Sequence, residues 1–152
     1  MPELVKVLFV CMGNCVRSQM AEAIARRDAA DIISSESAGV SPLGFIDNTT
    51  QKVLRERGIS FDGQFSKGLR THTLAKPDLV INMSGVPSAS LFAGQRFEDW
   101  PVQDPFGEDA ETHRRICDDI EARIKDLATR LRQSRTAQTA EPEAHRSEGA
   151  TS

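Results

Sequence analysis

The sequence predicts a three-layer α/β/α domain built on a four-stranded, mostly parallel sheet. Three observations lead there. Short β-rich apolar runs alternate with longer segments of helix formers, the pattern of a parallel sheet covered on both faces. The first run, Leu4 to Val10, is apolar at nearly every position, as in a strand buried on both sides. The last helical segment, Glu111 to Arg132, places Ile116, Ile120, Ile124, Leu127 and Leu131 at helical spacing.

The elements follow in order. The first strand runs straight into Cys11-Met-Gly-Asn-Cys-Val-Arg17. Ser18 then precedes strong helix formers from Gln19 to Arg26, and Glu22 lies four places on, close to the start signature of a helix. Ile32 and Ile33 through Ser37 form a second strand, ended by Ala38 and Gly39. Asn48 to Arg57 is a helix closed by Gly58. Asp78 to Met83, entered through Pro77, is a third strand, and Phe97 to Trp100 a short fourth before Pro101. After Arg132 no aliphatic side chain larger than Ala occurs, so the sequence divides into a domain over 1–132 and a disordered polar tail over 133–152.

Composition narrows the function. A chain of 152 residues suits one domain, and a net charge of −3 gives no reason to expect nucleic acid or a membrane surface as partner. The longest apolar run, near Val7 to Met12, falls far short of the roughly 20 residues that span a bilayer. The opening residues show no basic stretch followed by a long apolar one, so secretion is not expected. Three cysteines, Cys11, Cys15 and Cys117, are too few for a disulfide scaffold and suit a reducing, cytoplasmic setting. His72, His113 and His145 are scattered without metal-ligand spacing, so neither metal nor other cofactor is expected.

The chemistry concentrates between Cys11 and Arg17. A loop of five residues between strand and helix closes tightly enough to wrap an anion. The backbone N–H groups of Met12, Gly13, Asn14, Cys15, Val16, Arg17 and Ser18 can turn inward, and the helix N-terminus adds positive potential. Gly13 permits either positive φ or close approach of the anion, and Asn14 tolerates left-handed geometry. The same field favours a thiolate at Cys11. Arg17 can grip two oxygens with its planar fork. Ser18 can hydrogen-bond the thiolate and ease its departure. In such sheets the site lies beyond the carboxyl ends of the strands, where Cys11 falls. Neither of the glycine-rich nucleotide-loop patterns occurs.

Val10 to Ser18, followed by Met20-Ala-Glu-Ala23, resembles the opening of the low-molecular-weight protein tyrosine phosphatases and of arsenate reductases that share their fold. The resemblance spans roughly residues 4 to 132, with Ser37-Ala38-Gly39 matching a second loop and Asp104-Pro105 an acid loop. It implies Cys11 as nucleophile, Arg17 as phosphate clamp and Asp104 as general acid, with Asn14, Ser18 and Ser37 holding the loop. Asp-Pro by itself is a common turn pair, so the acid role comes from the resemblance. The implied enzyme hydrolyses a phosphorylated protein or small phosphomonoester through a cysteinyl-phosphate.

The sequence departs from the phosphatase pattern in two places. Val16 stands where the phosphatases carry a second Cys, and the extra thiol is Cys15. After Asp-Pro, Phe106 supplies one aromatic and Gly107 ends the run. Gln19-Met20, Trp100 and Asp118-Asp119-Ile120 are similar to the reductases instead. Residues 82–90 contain none of the relay cysteines of the thioredoxin-coupled reductases. The alternative activity is thus arsenate reduction with an external thiol such as glutathione or mycothiol. A non-catalytic oxyanion-binding module is a second alternative, although binding alone needs neither thiol nor acid.

Overall fold

The computed structural model describes residues 3–70 and 76–149, with side chains described to position 137. His72 and the last three residues of the expected tail lie outside the described residues. The elements are β1 (Val5–Cys11), α1 (Arg17–Asp28), β2 (Ile33–Gly39), α2 (Asn48–Glu56), β3 (Leu79–Asn82), α3 (Ser88–Leu91), β4 (Phe97–Asp99) and α4 (Ala110–Gly149).

The four strands form one sheet in the order β2-β1-β3-β4, and every pairing is parallel. The chain moves outward from β1 to β2 and then crosses to β3 on the other side. The carboxyl end of β1 is therefore the switch point at which neighbouring loops diverge and leave a crevice.

Alternation along β1 divides the core. Val7, Phe9 and Cys11 face the larger cluster with Met20, Ile24 and the α4 stripe, whereas Leu8 and Val10 face a smaller one with Val80 and Phe92. All five predicted stripe residues of α4 are buried. Burying one such Leu or Ile contributes about 1.5–3 kcal/mol, so this stripe, rather than helix propensity, seats α4.

Three boundaries differ from expectation. α1 starts at Arg17, so Ser18 lies inside the helix, and the N-cap position, Val16, makes no side-chain capping bond. Glu22 meets Ser37 instead of the helix start. α3 has only four residues and no apolar periodicity that would announce it. α4 continues past Arg132 through the stretch expected to be disordered. Extending an existing helix adds one bond per residue without a new nucleus. Beyond Arg132, Arg135 donates from Nη2 to the Asp31 carbonyl at 3.0 Å, a polar contact that hydropathy does not register.

Candidate active site

The loop between β1 and α1 is held from outside. The carbonyl of Cys11 accepts from Val40 N (3.0 Å), Met12 from Ser41 N (2.8 Å), Gly13 from Leu43 N (3.0 Å), Asn14 from Gln19 Nε2 (3.1 Å), Cys15 from Asp47 N (3.0 Å) and Val16 from Met20 N (2.9 Å). Six successive carbonyls thus have external donors. Among the described residues, nothing accepts from the backbone N–H groups of Met12 through Ser18. A peptide whose carbonyl points outward turns its amide inward, so the loop presents a concave array of donors at the uncapped end of α1.

Two residues make this curvature possible. Asn14 takes φ +48°, a left-handed conformation that asparagine tolerates. Gly39, at the end of β2, lies directly behind the loop. A Cβ there would sit 2.9 Å from Asn14 N and from the Met12 carbonyl. Gly13 serves close approach rather than positive φ, since a Cβ would come within 3.2 Å of the Leu43 side chain.

The buried Asn14 side chain fixes the polarity of a hydrogen-bond chain. Its Oδ1 accepts from the backbone N–H of Lys67 at 2.8 Å, a group that can only donate. The amide nitrogen must then face Ser18, and Nδ2 donates to Ser18 Oγ at 2.7 Å. Ser18 Oγ lies 2.9 Å from Cys11 Sγ, and while it accepts from Asn14 its hydroxyl proton is free to be donated to a Cys11 thiolate. Gln19 reinforces the hub, donating from Nε2 to both oxygens of Asn14 and to the Phe65 carbonyl.

Arg17 is buried beneath the same cavity. Its Nη1 donates to the Met83 and Val102 carbonyls, which lock the guanidinium plane. Its Nη2 lies 3.5 Å from Asp104 Oδ2. The buried Nε has no partner among the described residues. Asp104 is half exposed, and its Oδ1 accepts from Phe106 N at 3.0 Å in the turn expected of Asp-Pro. A cavity of about 330 Å³ brings together Cys11, Gly13, Cys15, Arg17, Asp104 and Phe106.

Cys11, Arg17 and Asp104 thus converge, as do Asn14 and Ser18. Ser37 does not join them, because its β2 position faces α1, where its hydroxyl donates to Glu22 Oε1 at 2.6 Å. Cys15 shares the cavity, but burial, with the Cys11 and Asp104 charges adding, pushes its thiol up to about 12. Cys117 is in the core, pushed up to about 11 chiefly by burial. Sequence reasoning missed the supports at Lys67, Ser66 and Asp47. Ser66 Oγ donates to the Gly13 carbonyl at 3.2 Å; Ser66 and Lys67 lie 53 places and Asp47 lies 32 places from the loop residues they hold, and no local pattern connects them. Among the described residues no group of His, Cys, Asp or Glu could hold a metal ion. No described helix is long and apolar enough to cross a membrane.

A cysteine ending the central strand, ringed by inward amides, defines the class of thiol-centred oxyanion domains. The profile described as low molecular weight phosphotyrosine protein phosphatase matches residues 6–137, and the chain belongs to that family. Its relatives include both arsenate reductases and phosphatases. The glutaredoxin arsenate reductase of Synechocystis sp. is 30% identical, covering 83% of this chain and 98% of its own. The low molecular weight protein-tyrosine-phosphatase YfkJ of Bacillus subtilis is 40% identical over 58% of this chain and 62% of its own. A solved structure described as an arsenate reductase in the phosphate binding state superposes with a TM-score of 0.76 at 31% identity, covering 84% of this chain and 99% of its own.

Proposed function

We propose that this chain is a cysteine-dependent phosphomonoesterase, with phosphotyrosine in proteins as its preferred ester. The observation that carries this reading is the set of amides and the Arg17 Nε that surround one sulfur and have no partner among the described residues. In the first step Cys11 Sγ attacks phosphorus, and the bond to the ester oxygen breaks. The loop amides and Arg17 hold the equatorial oxygens, where charge spreads in the transition state. Asp104 protonates the departing oxygen. In the second step Asp104 takes a proton from water as water attacks the cysteinyl-phosphate, and the Ser18 hydroxyl steadies the leaving thiolate. The half-exposed side chains of Met12, Leu43 and Phe106 offer apolar walls to an aromatic ester.

A second reading, arsenate reduction, is favoured by the names of relatives such as the Synechocystis enzyme. Arsenate takes up two electrons, so Cys11 must be joined by a second sulfur. Cys117 is held in the core and the Cys15 thiol is strongly disfavoured as a thiolate, so this reading calls on an external thiol.

Parallel assays of phosphate-ester hydrolysis and thiol-dependent arsenate reduction separate the two. Asp104→Asn sharpens them. Phosphotyrosine needs a proton on its departing oxygen far more than p-nitrophenyl phosphate does. General acid help is typically about 10²–10⁴-fold. The variant should slow phosphotyrosine hydrolysis by up to that factor more than p-nitrophenyl phosphate hydrolysis. Equal slowing of both would reduce Asp104 to a turn residue, and thiol-dependent arsenite release without esterase activity would favour the reductase.

A further inference from the structure

We infer that His113 is a positioning residue for the oxyanion cradle, acting through Asp47 on the peptide between Cys15 and Val16. The inference rests on the reading of the loop as an oxyanion site and adds a residue from α4 to its machinery.

His113 is fully buried in the first turns of α4. Its Nδ1 lies 3.0 Å from the Asp109 carbonyl, which can only accept, so that nitrogen carries a proton. Asp47 Oδ2 is likewise an acceptor, 3.2 Å from Nε2 but outside hydrogen-bond alignment, so this contact holds Asp47 electrostatically only with a proton on Nε2 as well. Asp47 in turn does two things. Its Oδ2 accepts from Thr50 N at 3.1 Å and caps α2. Its backbone N–H donates to the Cys15 carbonyl at 3.0 Å.

The consequence follows from peptide geometry. A peptide is planar, so the carbonyl of Cys15 and the amide of Val16 point in opposite directions. Holding that carbonyl outward aims the Val16 N–H into the cavity. The carbonyls of Cys11, Met12 and Gly13 are held by donors on loops, at Val40, Ser41 and Leu43, and those of Asn14 and Val16 by Gln19 and Met20 of α1 itself. Cys15 alone is held through a residue fastened between two helices, α2 and α4. Without His113 the Asp47 carboxylate keeps only its cap to Thr50, its partly exposed side chain can turn to solvent, and the grip on Cys15 loosens.

The probe is inorganic phosphate, followed by binding titration and by the backbone amide resonances of the ¹⁵N-labelled full chain. His113→Leu is expected to weaken phosphate binding about tenfold, the effect of withdrawing one donor from an anion. The phosphate-induced shift of the Val16 amide should shrink selectively, while that of Gly13, held by Leu43, persists. His113→Gln, which can present an N–H near the position of Nε2, should recover most of the affinity. If His113→Leu does not fold, Asp47→Asn decides the matter, since asparagine keeps the cap but loses the charge. It should show the same selective loss at Val16. Unchanged affinity in the folded variants, or a loss spread evenly over all loop amides, overturns the role of His113. Failure of the wild-type chain to bind phosphate overturns the cradle reading itself.

Discussion

Two strand-to-helix loops leave the same edge of the sheet side by side, one after β1 and one after β3. Both follow a buried strand and both open a helix. In the loop after β3, the Met83 N–H donates to the Val10 carbonyl at 2.7 Å, Ser84 N–H to Asn82 Oδ1 at 3.0 Å and Val86 N–H to Ser84 Oγ at 3.1 Å. Pro87 has no N–H. Only Gly85 keeps an amide without an acceptor among the described residues. The short polar side chains Asn82 and Ser84 have folded back on their own backbone, as such residues do in turns. In the loop after β1, the two comparable side chains are turned away, Asn14 to Lys67 and Ser18 to Cys11. Topology supplies the location of an anion site. Whether the amides stay available is decided by where the loop's own polar side chains find partners.

The largest effect that tests this contrast is Cys11→Ser. The amide array does not depend on the sulfur, whereas covalent chemistry does. Steady-state turnover should vanish while phosphate binding, measured by calorimetry, stays close to that of the wild type. Measurable turnover by the Ser variant would remove Cys11 from the nucleophile role. Loss of binding together with turnover would mean that the cradle needs the thiolate to form.

A pair of glycines sharpens the comparison further. Gly39→Ala would drive a methyl group against Asn14 N and the Met12 carbonyl, which are backbone atoms with no room to rotate away. Overpacking of this kind costs about 1–3 kcal/mol. Phosphate affinity should fall along with the melting temperature. Gly85→Ala sits in the counterpart loop at φ +84° with open space around it. Its cost is backbone strain alone, about 1 kcal/mol, and phosphate affinity should not change. If both variants lose phosphate binding equally, the two loops are coupled and the contrast between them fails.

The parts of the site that could be read from the sequence are those in which cause and effect lie close together in the chain. Cys11, Gly13, Asn14, Arg17 and Ser18 fall within eight consecutive positions, and the α4 stripe repeats within a single helix. Asp104 was found by resemblance, since its pair with Arg17 spans most of the chain. The position of Ser37 in β2 suits both the loop and α1, and only packing puts its hydroxyl against Glu22. Four of the donors that turn the loop carbonyls outward are backbone groups at Val40, Ser41, Leu43 and Asp47, which carry no residue-type signal. Hydropathy ends α4 near Arg132 for a related reason: it counts apolar burial, whereas Arg135 is held by a carbonyl.

The smallest expected effect concerns Glu22, which lies outside the cradle on α1 and binds Ser37 of β2. Burial raises its pKa above the ordinary value of 4.5, with the Ser37 hydrogen bond and the Lys67 and Arg26 charges only partly opposing. A raised acid favours the protonated form in the folded state. Its contribution to stability is therefore fully present below the unfolded value and is lost as pH rises through the folded one. As pH rises, ionising Glu22 places a carboxylate in a buried setting at a cost. Glu22→Gln replaces it with a neutral group whose Oε1 still accepts from Ser37. The variant should melt at about the wild-type temperature below pH 4.5 and slightly higher near neutrality, with the gap opening as pH increases. Phosphate affinity should hardly move, because Glu22 makes no contact with the loop amides. A variant that melts lower than the wild type near neutrality would mean that the charge attracts Lys67 and Arg26 more than burial penalises it, reversing the sign argued from its environment.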